Sequence, residues 1–207
     1  PEMTSRSRYP VPAATCRVEH EIHRSRFITT IGRAATAEDA AAFVRAVGEE
    51  HAGATHNCWA YVAGPPGDTS RIGMSDDGEP HGTAGRPMLN ALLHAGVGDV
   101  VAVVTRYYGG TKLGTGGLVR AYGGGVQQAL AALRLTERID YVPMTALVEY
   151  AALTALQQAC AACEGEILSQ EFAADVRVGL RVPAGREQEF RSALADATRG
   201  QARILPD

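Results

Sequence analysis

A glycine-rich stretch that also carries two arginines and a lysine most constrains what this chain can fold into. It runs from Arg106 to Tyr122 and follows an apolar run at 100–104. A helical pattern of apolar residues comes after it. Glycines let backbone N–H groups approach a ligand closely, and a helix start adds free N–H donors with a partial positive charge. The stretch therefore predicts a buried strand, an anion-binding loop and the start of a helix.

The residues of this stretch that we predict to bind an anion or a nucleic acid are its cations, its glycines, one threonine and two tyrosines. They are Arg106, Tyr107, Tyr108, Gly109, Gly110, Lys112, Gly114, Thr115, Gly116, Gly117 and Arg120. The tyrosines are candidates for stacking on unpaired bases, although core tyrosines with a solvated hydroxyl show the same pattern. A tight structural turn is the alternative interpretation of the glycines.

Two nucleotide-binding motifs are excluded. A Walker A loop needs Ser or Thr directly after its lysine, whereas Leu113 follows Lys112. No βαβ unit with a ribose-binding acid follows at the distance that a dinucleotide fingerprint requires.

A second glycine-bearing segment, Gly82–Gly85, leads into another predicted helix, which opens with Arg86-Pro87. We add Thr83, Gly85 and Arg86 to the predicted anion site, with Thr83 as a plain helix cap being the alternative. Strand ends surrounded by helix starts are where α/β proteins bind ligands. Two such junctions side by side would form a shared cleft.

An acidic segment lies just before this second junction. Asp76, Asp77 and Glu79, together with His56, are weak candidates for a general acid, a general base or metal ligands. A solvated acidic turn is the alternative. The spacing is not that of a calcium loop, and we predict no metal site.

The cysteines give no strong signal. His56 and Cys58 face the same side of a predicted strand, so a Cys–His nucleophile is conceivable, but a half-buried histidine beside a core cysteine is the preferred interpretation. Cys160 and Cys163 form a CxxC within or at the end of a predicted helix, where redox pairs do not usually lie. We interpret them as small apolar residues.

The composition describes an ordinary globular protein. The chain has 207 residues, a hydrophobic fraction of 45% and a net charge of −3, so nucleic-acid binding would need a local basic patch. No apolar run reaches the length of a membrane span. We expect a cytoplasmic protein with reduced thiols and no cofactor.

The pattern predicts an α+β protein with two domains. Residues 1–16 are expected to form a loose arm, 17–142 a first domain and 143–207 a small second domain with the order β-α-β-β-α-β. A helix over about 115–133 contains the run Gly123–Gly125, which predicts either a break or a very close neighbour.

Five segments resemble the IMPACT family, in its bacterial YigZ-like (UPF0029) branch, in order and spacing. They are Ala54–Ala60, Ser75–Pro80, Gly82–Gly85, Arg106–Gly110 and Leu113–Tyr122. The resemblance implies a ribosomal protein S5 domain 2-like first domain, with helices on one side of its sheet, and a ferredoxin-like second domain. That pair is similar to the last two domains of translocation factor EF-G. Two features depart from the family pattern: His81 and the Gly123–Gly125 run.

The eukaryotic relatives implied by this resemblance are translational regulators. The leading hypothesis is therefore an RNA- or ribosome-associated protein involved in translation regulation, which binds the phosphate backbone through its Gly-rich basic loop. One alternative is a hydrolase or transferase that acts on a phosphorylated or acyl small molecule through the Asp76–Glu79 loop. The other is a protein-interaction regulator using the second domain, which has six arginines and nine acidic residues from residue 144 onward.

Overall fold

The computed structural model describes residues 7–205, which form two compact units. The first unit is Tyr9–Glu137, and the second consists of residues 7–8 and 138–205 of the described chain. The strands are β1 Arg8–Pro12, β2 Cys16–Ile22, β3 Ser25–Arg33, β4 His56–Val62, β5 Ile72–Ser75, β6 Val100–Tyr107, β7 Leu135–Ile139, β8 Tyr141–Val148, β9 Glu166–Phe172, β10 Val176–Pro183 and β11 Arg203–Leu205. The helices are α1 Ala37–Glu50, α2 Gly85–Leu93, α3 Gly114–Ala132, α4 Leu153–Ala162 and α5 Glu187–Thr198.

The sheet of the first unit has the strand order β2-β3-β6-β4-β5, and every neighbouring pair is antiparallel. β6 lies at its centre, and residues 100–104 are all fully buried. A strand that is covered on both faces carries a continuous apolar run rather than an alternating one. The predicted buried strand before the glycine-rich stretch is confirmed.

Helices cover both faces of this sheet, which corrects the expectation of helices on one side. Successive strand residues point to opposite faces. Val100 and Ala102 belong to the core formed with α2 and α3. Val101 instead packs with Ala40 and Phe43 of α1. Thr36 starts α1 through a capping box with Asp39.

The arm predicted over 1–16 is partly wrong. Residues 1–6 lie outside the described chain, but Arg8–Pro12 form β1, which pairs with β7. Tyr9 and Val11 are buried because they supply apolar side chains to the fold. The short strand β5 was not predicted either. Its Gly73 has no side chain that could contribute to an alternating strand pattern. The ring of Tyr61 on β4 lies over this glycine.

α3 is continuous through Gly123–Gly125 because neighbours pack against two of the three glycines. A Cβ atom on Gly123 would lie 3.4 Å from Pro87 of α2. A Cβ atom on Gly125 would lie 2.7 Å from Thr29 Oγ1 and 2.9 Å from His20 Cε1. Of the two outcomes left open by the sequence, a close neighbour is the one observed.

The second unit has the predicted element order β-α-β-β-α-β, with the strand order β11-β8-β10-β9. β10 lies between β8 and β9 and is antiparallel to both. Cys160 and Cys163 are buried in this unit's core as free thiols. Across both units, no helix within residues 7–205 is long and apolar enough to cross a membrane.

We expect Gly125→Ala to destabilise the first unit by about 1–3 kcal/mol, because its methyl group would overpack against buried Thr29 and half-buried His20. Gly124→Ala is the matched control, since nothing lies within 4 Å of its Cβ position. There we expect a gain of up to about 1 kcal/mol from helix propensity alone. Urea unfolding followed by circular dichroism measures both. Equal stabilisation of the two variants would contradict the close packing at Gly125.

Candidate functional site

The two glycine-bearing junctions leave the sheet at the same edge. β5 and β6 both flank β4 and are both antiparallel to it, so they run parallel to each other. The loop 76–84 after β5 and the loop 108–113 after β6 therefore start at the same end of the sheet, with β4 between them. α2 and α3 begin where these loops end and pack into one core. The sequence-predicted residues of the two junctions thus come together in one region.

The N-terminus of α2 is already occupied by a carboxylate of the same chain. Asp76 Oδ1 accepts hydrogen bonds from the N–H groups of Ala84 at 3.0 Å and Gly85 at 2.8 Å. Asp76 Oδ2 accepts from the N–H of Gly82 at 2.8 Å. Thr83 is buried and its hydroxyl donates to the Pro80 carbonyl oxygen at 2.6 Å. The predicted anion donors Thr83 and Gly85 therefore serve an internal anion.

The electrostatics of Asp76 follow from these contacts. Burial of the carboxylate by itself raises its pKa, but the three backbone N–H donors lower it, and nearby His81 adds to that effect. The net result is a pKa below the usual value for aspartate. Asp76 is thus a permanently charged cap of α2 at neutral pH.

Asp77 and His56 fasten the same loop to β4. Asp77 Oδ2 accepts the Asn57 N–H at 2.6 Å. The Asp77 carbonyl oxygen lies 2.6 Å from His56 Nδ1, so this ring nitrogen carries the proton and donates. The structure gives these two weak catalytic candidates positioning contacts within the chain. His81, by contrast, points into solvent.

Glu79 and Arg106 form a buried ion pair between the acidic loop and the glycine-rich stretch. Arg106 Nη1 donates to Glu79 Oε1 at 2.6 Å, and both side chains are more than 90% buried. Tyr122 of α3 donates its hydroxyl to the same Oε1 at 2.7 Å. The guanidinium also lies 5.3 Å from the ring centres of Phe27 and Tyr108. The charge of Arg106, predicted to face a ligand, is neutralised inside the protein.

Cys58 lies beside this pair and is fully buried. Burial raises the pKa of its thiol to about 12, and the hydrogen bond with Tyr122 only partly opposes the effect. A thiol with such a pKa is almost wholly protonated at pH 7, whereas a nucleophilic cysteine needs the thiolate. The preferred interpretation of Cys58 as a core cysteine agrees with this environment.

The glycine-rich loop is held in place by the hairpin between β2 and β3. A Cβ atom on Gly109 would lie 1.9 Å from the Arg24 carbonyl oxygen, so only glycine fits there. The Gly109 N–H donates to Ser25 Oγ at 3.2 Å, and Arg24 donates to Thr111 Oγ1 at 2.8 Å. The Tyr108 N–H donates to Thr55 Oγ1 at 3.0 Å. These contacts of the loop were not predicted from the sequence.

The N-terminus of α3 differs from that of α2 because no side chain caps it. Leu113 stands at the N-cap, Gly114 has φ +71°, and there is no acidic residue in the first turn. Gly114, Thr115 and Gly116 are exposed. The free N–H groups of this turn therefore face solvent.

Unpaired cations lie on the elements around this turn. Four exposed cationic side chains carried by these elements form no ion pair with the residues that the structure describes: Arg24, Arg86, Lys112 and Arg120. Tyr108 is 46% exposed, whereas the Tyr107 hydroxyl lies 3.0 Å from His51 Nδ1. In residues 7–205 no group of three or more His, Cys, Asp or Glu side chains is arranged to hold a metal ion.

We expect Asp76→Asn to lower the free energy of unfolding by about 1–3 kcal/mol at pH 7, since an amide group would face N–H donors. Folding lowers the pKa of Asp76, so the carboxylate's contribution is present above its usual value of 3.8 and is lost as the pH falls further. The difference in free energy of unfolding between wild type and variant should therefore become smaller below about pH 4. Urea unfolding across pH measures it, with exposed Asp196→Asn as the control. A gap that is independent of pH would contradict the capping role.

For the buried pair, we expect Glu79→Leu and Arg106→Met each to cost about 3–5 kcal/mol, because each leaves one charge buried without its partner. The double variant should cost less than the sum of the two, since it removes both charges together. A double-mutant cycle by chemical denaturation measures this coupling. Strictly additive losses would show that the two charges do not interact.

Comparisons with known proteins agree with this architecture. Residues 23–130 match the family model of the Impact N-terminal domain. Residues 147–201 match that of a domain of unknown function, DUF1949. A crystal structure of a hypothetical protein superposes with a TM-score of 0.69 at 45% identity and covers 97% of this chain and 98% of the other.

Relatives that carry the family name align over nearly their full length. The IMPACT family member YigZ of Escherichia coli K12 is 47% identical over 195 residues, which cover 94% of this chain and 96% of that protein. An IMPACT family member of Haemophilus influenzae is 45% identical over 193 residues, covering 93% and 94%. A Thermus thermophilus member is 40% identical over 181 residues, covering 87% and 97%. This chain therefore belongs to the IMPACT family.

Proposed function

We propose that this protein is RNA- or ribosome-associated, takes part in translation regulation, and binds the phosphate backbone through the outer face of its glycine-rich loop. The observation that carries the proposal is the open N-terminus of α3. Its first turn is uncapped, lacks acids and presents exposed Gly114 and Gly116. Free N–H groups at a helix start favour a phosphate.

The contrast between the two helix starts supports an external anion at α3. Asp76 satisfies the N–H groups of α2, and nothing in the described chain does the same for α3. Lys112 and Arg120 lie on either side of that turn in sequence, and neither is neutralised by a described acid. A phosphate group has oxygens that accept hydrogen bonds from N–H groups, and its charge attracts lysine and arginine.

Net charge restricts where nucleic acid can bind. With −3 overall, the protein has no general affinity for polyanions, so binding depends on a local patch of unpaired cations. Arg106 is not one of them because Glu79 neutralises it. Its guanidinium instead lies near the ring of half-exposed Tyr108, whose remaining surface is suited to stacking on an unpaired base.

Family membership supports the finer assignments that we propose with this function. They are the ribosomal protein S5 domain 2-like fold for the first unit, the ferredoxin-like fold for the second, and a cytoplasmic location. For the second unit, the antiparallel insertion of β10 between β8 and β9 supports the assignment directly.

A second candidate function, a protein contact through the second unit, is favoured by exposed apolar side chains there. Leu168 and Phe172 of the edge strand β9 are 58% and 60% exposed, and Tyr150 lies beside Phe172. Exposed apolar residues on an edge strand are typical of a pairing surface. The alternative of a hydrolase or transferase rests on Asp76, Asp77 and Glu79, which here hold N–H groups and Arg106.

The proposal is tested with Lys112→Ala/Arg120→Ala, measured by RNA binding at several salt concentrations. We expect weaker binding to ribosomal RNA, transfer RNA or ribosomal subunits, and a salt slope reduced by about 0.7 for each lost contact with single-stranded RNA. Arg177→Ala/Arg203→Ala removes the same charge from exposed positions of the second unit and should leave the slope unchanged. Absence of binding at low salt, or equal losses in both double variants, would refute the proposal.

A further inference from the structure

A cavity lies between α1 and β4, on the face of the first unit's sheet opposite α2 and α3. Its volume is about 290 Å³. It is lined by side chains of two kinds, small or apolar residues of α1 and aromatic residues of β4, together with one arginine. Those used below are Ala37, Ala41, Val44, Arg45, Trp59 and Tyr61.

Strand alternation places the two aromatic rings in this cavity. Cys58 and Ala60 point into the core with α2 and α3, so Trp59 and Tyr61 point toward α1. Their rings stack at a centroid distance of 6.0 Å and an interplanar angle of 14°. The Tyr61 ring also lies over Gly73, which has no side chain to displace it. The aromatic wall is therefore preformed.

The opposite wall is formed by α1 and leaves space because its residues are small. Ala37 and Ala41 are one helical turn apart and present only methyl groups. Arg45 follows on the next turn, and it is exposed and forms no ion pair with any residue between 7 and 205. The cavity thus combines a flat aromatic wall, a methyl-lined wall and one free guanidinium.

This combination selects a planar ligand that carries a negative charge. Aromatic rings favour a flat π-system, and an unpaired arginine favours a phosphate or carboxylate. Ligand cavities for small molecules start at about 300 Å³, so the space suits a ligand of roughly one nucleotide and nothing much larger. Stacking of a base on an aromatic side chain is worth about 1–3 kcal/mol.

We propose that this cavity binds a single nucleotide, with its base against the Trp59 ring and its phosphate at the Arg45 guanidinium. The nucleotide is either a free mononucleotide or one residue of an RNA strand. The site is separate from the glycine-rich loop and does not depend on the function proposed above.

The test uses intrinsic fluorescence, because Trp59 is the only tryptophan in the 207 residues. Full-length protein is titrated with adenosine monophosphate, adenosine and a short single-stranded RNA, with excitation at the red edge of tryptophan absorption and calorimetry as a second readout. We expect saturable quenching by the nucleotide. If only the RNA quenches, the source is a strand; if the mononucleotide suffices, a free nucleotide is a ligand.

Two variants on exposed positions of α1 locate the site. Ala41→Leu fills the cavity while keeping Trp59, and should weaken nucleotide binding at least about tenfold, as expected when a stacking contact is lost. Arg45→Ala should weaken the binding of adenosine monophosphate about tenfold and leave the binding of adenosine unchanged, because only the phosphate contact is lost. Arg177→Ala is the charge-matched control and should bind as the wild type does.

Absence of saturable quenching by both the mononucleotide and the RNA overturns the proposal. So does quenching that persists unchanged in Ala41→Leu. The Lys112→Ala/Arg120→Ala protein separates the two proposals. If it loses RNA binding but keeps the mononucleotide response, both sites stand; if wild type shows the mononucleotide response without RNA binding, the cavity site stands alone.

Discussion

The ion pair between Glu79 and Arg106 is the interaction on which the candidate site of the first unit depends. It joins the end of the central strand to the loop after β5, and Tyr122 ties α3 to the same carboxylate oxygen. Burial of two charges is tolerated when they are paired and further hydrogen-bonded. Here Tyr122 adds a hydrogen bond to Glu79 and Ser25 one to Arg106, whereas Arg106 Nε has no hydrogen-bond partner among the described residues. Because Glu79 and Arg106 neutralise each other, the net charge at this end of the sheet comes from other residues.

The two glycine-bearing helix starts at this end of the sheet differ in whether an internal carboxylate binds their N–H groups. Gly82–Gly85 and the glycines after Lys112 both supply backbone N–H groups at a helix N-terminus. At α2 these groups bind Asp76 of the same chain, and the anion site is complete. At α3 they remain open beside unpaired cations. Which helix start is available to a ligand depends on where one carboxylate lies.

Much of the fold was predictable because it rests on local patterns. The apolar run at 100–104 and the β-α-β-β-α-β order of the second unit both have sequence signals that the structure confirms. Other features were not predictable. Strand β5 has only four residues and includes Gly73, and β1 depends on pairing with the distant β7. The glycine run of α3 became interpretable only with Pro87, Thr29 and His20 in place.

The candidate site divides in the same way. Residue identity and spacing along the chain were enough to indicate the family, the glycine-rich junctions and the residue types that favour phosphate. Which charges remain unpaired became apparent only from the contacts within the folded chain. Arg106 is neutralised by Glu79, which lies 27 positions away in sequence. Asp76 binds N–H groups that lie up to nine positions away. Pairing of charges is a contact in space, and its strength depends on burial that no local pattern records. For the same reason Arg45, Trp59 and Tyr61, unremarkable in sequence, line one cavity only because α1 crosses β4.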